Sequence, residues 1–177
     1  MHTFFLSPTE SILMSKENFI KWHIAGLHAL RSASEQGTEA ALELHGKAAS
    51  AEVKSLLKAY AEATTQQEKA FVGFLKELDT EPNDFTDRIM EGTNKGTGEM
   101  VKAAPDQHLV DLSAVRGAMS GLDYYVGAFD DQSALSTRLG YPEQGQHLMA
   151  LSKTAQQLRE RFARAADTIR AHATAGA

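Results

Sequence analysis

The chain has 177 residues, a formal net charge of -5 and no cysteine. A single domain of this length buries a full core without covalent staples, and the missing thiols exclude disulfides, thiolate metal sites and cysteine nucleophiles. The mildly acidic balance lacks the basic footprint of a nucleic-acid binder, and no apolar run reaches the length of a membrane span. Neither nucleic acid nor membrane is therefore expected as a partner. The opening MHTFFLSPTESIL has no basic n-region and no long apolar h-region, which argues against a signal peptide. A cysteine-free chain without a leader predicts a cytoplasmic protein.

Alanine is abundant and β-branched runs are absent, which is helical composition. Residues 1–14 read as a flexible N-terminal arm. Helix 1 is predicted from Ser15 as N-cap, with Phe19, Ile20, Ile24, Leu27 and Leu30 repeating at three- and four-residue steps. It continues to about Ala48, with a kink or break at Gly37. Helix 2 is predicted from about Ser50 to Leu78, closed by the TEPND stretch. Residues 85–106 suggest a short helix loosened by Gly92, Gly96 and Gly98 and ended by Pro105. Helix 3 follows from Asp106 to Leu139, stopped by Gly140 and Pro142. Helix 4 runs from Pro142 to about Ala171, and residues 173–177 form a frayed tail.

Two short connections and one long one between helices 2 and 3 give the connectivity of a ferritin-like four-helix bundle. The expected architecture is thus all-α, with one bundle over residues 15–172 and a short helix in the crossover.

Ferritin-like bundles hold metal pairs through a Glu from each of two helices and a Glu-x-x-His from each of the other two. Two divalent irons need several anionic oxygens, and imidazoles complete the shell. The sequence contains no Glu-x-x-His, helix 3 has no glutamate, and helix 4 has only Glu143 and Glu160. Glu160 lies about 200° around the helix from Leu158, off the core stripe. A full di-iron site cannot be assembled from these residues. A reduced site for one cation could use Glu35, Glu62 and Asp123, which fall at mid-bundle depth, with Thr64 and Gln67 as neutral donors. The competing arrangement puts Glu35 and Glu62 on the surface and pairs Asp123 with a basic side chain. Thr64 and Gln67 then form a hydrogen-bonded polar layer, with a hydroxyl from Tyr60 or Tyr125. The GTNKGTG run lacks the Gly-Lys-Ser/Thr ending of a phosphate loop. Trp22, Phe4 and Phe5 are candidates for an exposed apolar patch.

Several segments resemble one bacterial family in order and spacing. MEGTNKGTGEMV (90–101) is similar to its Met-Glu-Gly-Leu-Ile-x-Glu stretch, and LDYYVGAFDD (122–131) to its Glu-His-Tyr-Glu-Ile-Ala-x-Tyr-Gly stretch. Asp111 stands where it has Asp-Ala-Ala-Leu-Ile. LGY (139–141), AYAEATTQQ (59–67) and SASEQ (32–36) resemble further blocks. This is the YciE/YciF-type ferritin-like family, linked to stress responses, and the resemblance covers about residues 20–160. It implies dimeric bundles with inward carboxylate and histidine ligands, and hence iron or manganese. At the implied ligand positions this chain carries Tyr60, Ala63, Lys95, Gly96, Leu122, Asp123, Tyr125, Thr154 and Ala155. Glu35 matches, and Glu62 matches in part.

The emptied positions predict a non-catalytic, degenerate member that acts through homodimerisation or a protein partner, with no cofactor. The alternative is a metal-binding protein of oxidase or storage type, with iron or manganese at a reduced site.

Overall fold

The computed structural model describes the backbone of residues 8–175 and the side chains of residues 16–172. Five helices make up the fold: α1 (Pro8–Lys47), α2 (Ala51–Glu77), α3 (Arg88–Ala103), α4 (Gln107–Leu139) and α5 (Pro142–Ala175). No strand occurs among the described residues. The arm expected over residues 1–14 lies outside the described residues at positions 1–7. From Pro8 onward the backbone is helical, so Ser15 is interior to α1 and not its N-cap. Proline suits the first turn of a helix, where its missing N–H leaves no bond unmade. At the other end, α5 continues to Ala175, beyond the expected start of the frayed tail.

Most boundaries follow from local chemistry. The Ser50 hydroxyl accepts from the Val53 N–H, Asp87 from Met90 and Asp106 from Leu109, which caps α2, α3 and α4. Gly140 closes α4 at φ 99°, a left-handed conformation that glycine adopts without steric cost.

Two antiparallel hairpins, α1–α2 and α4–α5, pack together so that α1 lies against α4 and α2 against α5. The crossover helix α3 covers α1 and α4 from outside. This is the ferritin-like arrangement. The crossover is tied down along α1: Arg31 Nη2 donates to Asn83 O (2.9 Å), the Asp87 N–H to Ser32 Oγ (3.1 Å) and Gln36 Nε2 to Asp87 O (3.1 Å).

The break expected at Gly37 does not occur. A Cβ at Gly37 would lie 2.7 Å from the Tyr125 hydroxyl and 3.2 Å from Thr64 Cγ2. The glycine lets α1, α2 and α4 approach; it does not interrupt α1. α3 is likewise a continuous helix of 16 residues despite its three glycines. The core runs the length of the bundle, with Phe71, Phe129, Phe162, Leu57 and Leu122 each at most 1 % exposed. Burying such a side chain contributes about 1.5–3 kcal/mol.

Candidate functional site

The three acidic residues of the predicted reduced site do not converge. Glu35 is about half exposed and accepts from Arg31 Nη1 at 3.2 Å. Glu62 lies on the outer face of α2, 4.0 Å from Lys58. Asp123 is exposed on α4 and accepts from Arg159 Nε at 2.9 Å. Each carboxylate therefore faces solvent and meets a cation. Exposed pairs of this kind contribute about 0–1 kcal/mol. Among the described residues no three His, Asp or Glu side chains gather at one point where a metal could sit.

The centre of the bundle is occupied by apolar groups and two phenols. Leu122 and Ala155 are 1 % exposed and Leu158 5 %, with Met119 packed against them. Tyr125 is fully buried and donates to the Ala33 carbonyl at 2.6 Å. Its ring stacks on Phe129 at 5.4 Å between centroids. The Tyr60 ring meets Tyr125 edge-on at 6.5 Å and Phe162 at 6.2 Å. Its hydroxyl lies 2.4 Å from where a Cβ on Gly121 would stand, so that position admits only glycine beside this ring. Burial pushes both phenols well above the ordinary tyrosine range. They stay neutral at physiological pH. Iron or manganese, which the sequence resemblance implies, needs anionic oxygens, and this donor set does not fit either ion.

The polar layer of α2 takes a different form from the one expected. Thr64 bonds Thr38 Oγ1 at 2.8 Å and the Tyr60 carbonyl at 3.0 Å, and no tyrosine hydroxyl joins it. Gln67 is 2 % exposed, and its Oε1 has no partner.

A larger polar cluster lies at the end of the bundle near the α4–α5 turn, where His23 is fully buried. Its Nδ1 lies 2.6 Å from Gln132 Oε1 and its Nε2 3.3 Å from Gln144 Oε1. Gln144 Nε2 donates to Glu77 Oε2 at 2.7 Å, which fixes that amide's orientation. The cluster thus ties together all four bundle helices. The signal for His23 was available in register. It stands four residues before Leu27 and seven before Leu30, on the core stripe of α1.

Two further carboxylates hold the scaffold. Asp111, 3 % exposed, accepts from the Ala49 and Ser50 N–H groups, both at 2.9 Å, and so caps the α1–α2 turn from α4. Tyr124 donates to the buried Asp87 carboxylate, which locks α4 to the start of α3. Burial, reinforced by Asp87, raises the Tyr124 phenol as well. At the surface of α1, Trp22 is 66 % and Phe19 52 % exposed. Phe4 and Phe5 lie outside the described residues. No described helix is long and apolar enough to cross a membrane.

Residues 16–175 match the family described as Domain of unknown function (DUF892). The chain belongs to this family. Its fold is shared with the E. coli stress protein YciF at a TM-score of 0.80 and 17% identity, over 85% of this chain and 96% of that one. YcfI from Rhodopseudomonas palustris, a protein to which a structural role is ascribed, aligns at a TM-score of 0.77 and 18% identity, over 81% of this chain and 92% of the other. No curated protein matches at a significant level. The DUF892 match thus confirms the family resembled by the sequence blocks, and the two solved structures share its helical ferritin-like fold.

Proposed function

We propose that this DUF892 protein works without a catalytic centre or a bound metal, as a cytoplasmic, stress-associated protein that acts by associating with a second copy or with another protein. One observation carries the reading. Glu35, Glu62 and Asp123 point outward to cations, while Tyr60, Tyr125 and Leu122 fill the space between the helices. A centre of neutral phenols and aliphatic groups offers no anionic ligand, no general base and no open coordination position. The kinship in fold with a stress protein supports the stress association.

The test is elemental analysis of protein purified without chelators, with thermal melts in added iron, manganese and chelator. The expected result is far less than one metal per chain and a melting temperature that none of these additions moves, since a ligand raises stability only by binding the folded state. Stoichiometric iron or manganese that disappears in Glu35→Ala or Glu62→Ala would overturn the proposal.

A further inference from the structure

An open groove of about 400 Å³ runs between α3 and α4, and Arg116 is the one charged residue among its walls. Most ion pairs of this chain join residues three or four apart on one helix, as Lys21 does with Glu17, Arg31 with Glu35 and Lys102 with Glu99. Arg116 has Leu112, Ser113, Met119 and Ser120 at those spacings, so α4 gives it no acid to meet. Its guanidinium makes no ion pair or hydrogen bond among the described residues. Ser113, one turn earlier and also in the groove wall, is partly buried, and its hydroxyl likewise makes no hydrogen bond among them. The other hydroxyls of the wall differ: Thr93, Thr97 and Ser120 each donate to a carbonyl of their own helix. One cation and one hydroxyl therefore stand free on the α4 side.

The end of the groove nearest the α3–α4 turn is apolar. Met100 lies three residues before the end of α3 and Leu109 two after the start of α4, so the turn brings both to that end. Met100 is 54% and Leu109 39% exposed, and Leu112 is partly buried against the core. Covering such side chains takes apolar surface out of water and favours an apolar occupant. From Leu109 to Arg116 the helix rises about 10 Å. An extended chain advances about 3.3–3.6 Å for every three bonds, so roughly eight or nine bonds span that distance.

A mainly apolar groove of this volume with a few polar groups at one place is the build of a small-molecule site. A single guanidinium suits a carboxylate, whose two oxygens match the planar fork. A phosphate monoester brings about -1.5 to -2 charges at neutral pH, and the groove wall offers one cation.

We propose that the α3–α4 groove binds a medium-chain monocarboxylate, with its carboxylate on Arg116 and Ser113 and its chain along Leu112, Leu109 and Met100. This goes beyond the association reading and does not rest on it.

The experiment titrates the full chain with octanoate below its micellar concentration, followed by calorimetry and by amide chemical shifts. One saturable site is expected, with the shifts concentrated in residues 92–120. Octanol, octylamine and acetate, each lacking either the carboxylate or the chain, are expected to bind at least about tenfold more weakly, as is octanoate to Arg116→Gln, in the range of a hydrogen-bonded charge. Gly96→Leu adds a side chain where a Cβ meets nothing within 4 Å, so it fills the groove without disturbing the helices. It is expected to abolish octanoate binding with an unchanged helical circular dichroism spectrum. No saturable binding of octanoate overturns the proposal. Octanol binding as tightly as octanoate overturns the carboxylate as the recognised group, and acetate doing so overturns the chain. Octanoate binding that survives both Arg116→Gln and Gly96→Leu overturns the groove as the site.

Discussion

Tyr125 and Gly37 face each other across the α1–α4 interface, with the phenol oxygen 2.7 Å from the place a Cβ on Gly37 would occupy. The same hydroxyl reaches the Ala33 carbonyl, one turn earlier on α1. The ring, the missing side chain and the hydrogen bond form one unit at the centre of the bundle, where the sequence resemblance implies a glutamate ligand.

Gly37→Ala forces the ring off its position and is expected to cost about 1–3 kcal/mol in urea unfolding, as overpacking does. Tyr125→Phe removes the bond to Ala33 and costs about 1–2 kcal/mol. Because the phenylalanine no longer carries the oxygen that meets the new methyl, the double variant should be destabilised by less than the two single losses combined. Strict additivity would separate the two residues and contradict this account.

Asp111 satisfies two backbone N–H groups that the α1–α2 turn leaves without partners. Asp111→Ala leaves both without a protein partner at a part-buried turn and is expected to lower stability by about 1–3 kcal/mol. Asp111→Asn, able to accept at a single oxygen, should fall between. Hydrogen exchange checks the location: Ala49 and Ser50 lose protection first in Asp111→Ala. Unchanged protection there would mean that the turn does not depend on α4.

The three raised phenols set the alkaline limit of the fold. Burial acts on Tyr60 and Tyr125, and burial with Asp87 on Tyr124. Each holds its proton more tightly in the folded chain than in the unfolded one. Below about pH 10 both states are protonated and this contribution is fully present; above it the unfolded chain deprotonates first. Stability then falls as pH rises, by up to about 1.4 kcal/mol per pH unit for a fully buried phenol, and by less for the partly buried Tyr124. Phenolate absorbance from three of the chain's four tyrosines should therefore appear together with loss of the helical signal. Ionisation of all four with the helices intact would refute this.

Much of the bundle was legible in local chemistry. The caps at Ser50 and Asp106 and the stop at Gly140–Pro142 stand where their residue types predict. The crossover helix was visible in Ile89, Met90, Met100 and Val101. The absence of glutamate from residues 107–139, and its scarcity over residues 142–175, was a matter of counting. The start of α1 was misread because Ser15 is a good cap by type, and residue type alone does not reveal that the backbone is already helical from Pro8. Gly37 was misread as a break because its neighbours Tyr125 and Thr64 belong to other helices.

The sequence by itself determined the helices, their order and the chemistry that the chain lacks, because periodicity, capping and composition act over a few residues or over the whole count. Tertiary structure alone decided which side chains meet. His23 finds Gln132 and Gln144 more than a hundred positions away, Asp111 finds the turn at Ala49 and Ser50, and Asp123 turns out to Arg159. Such partners are fixed by the rotation and depth of one helix against another. That geometry comes from packing the whole core at once, and no local stretch of sequence contains it.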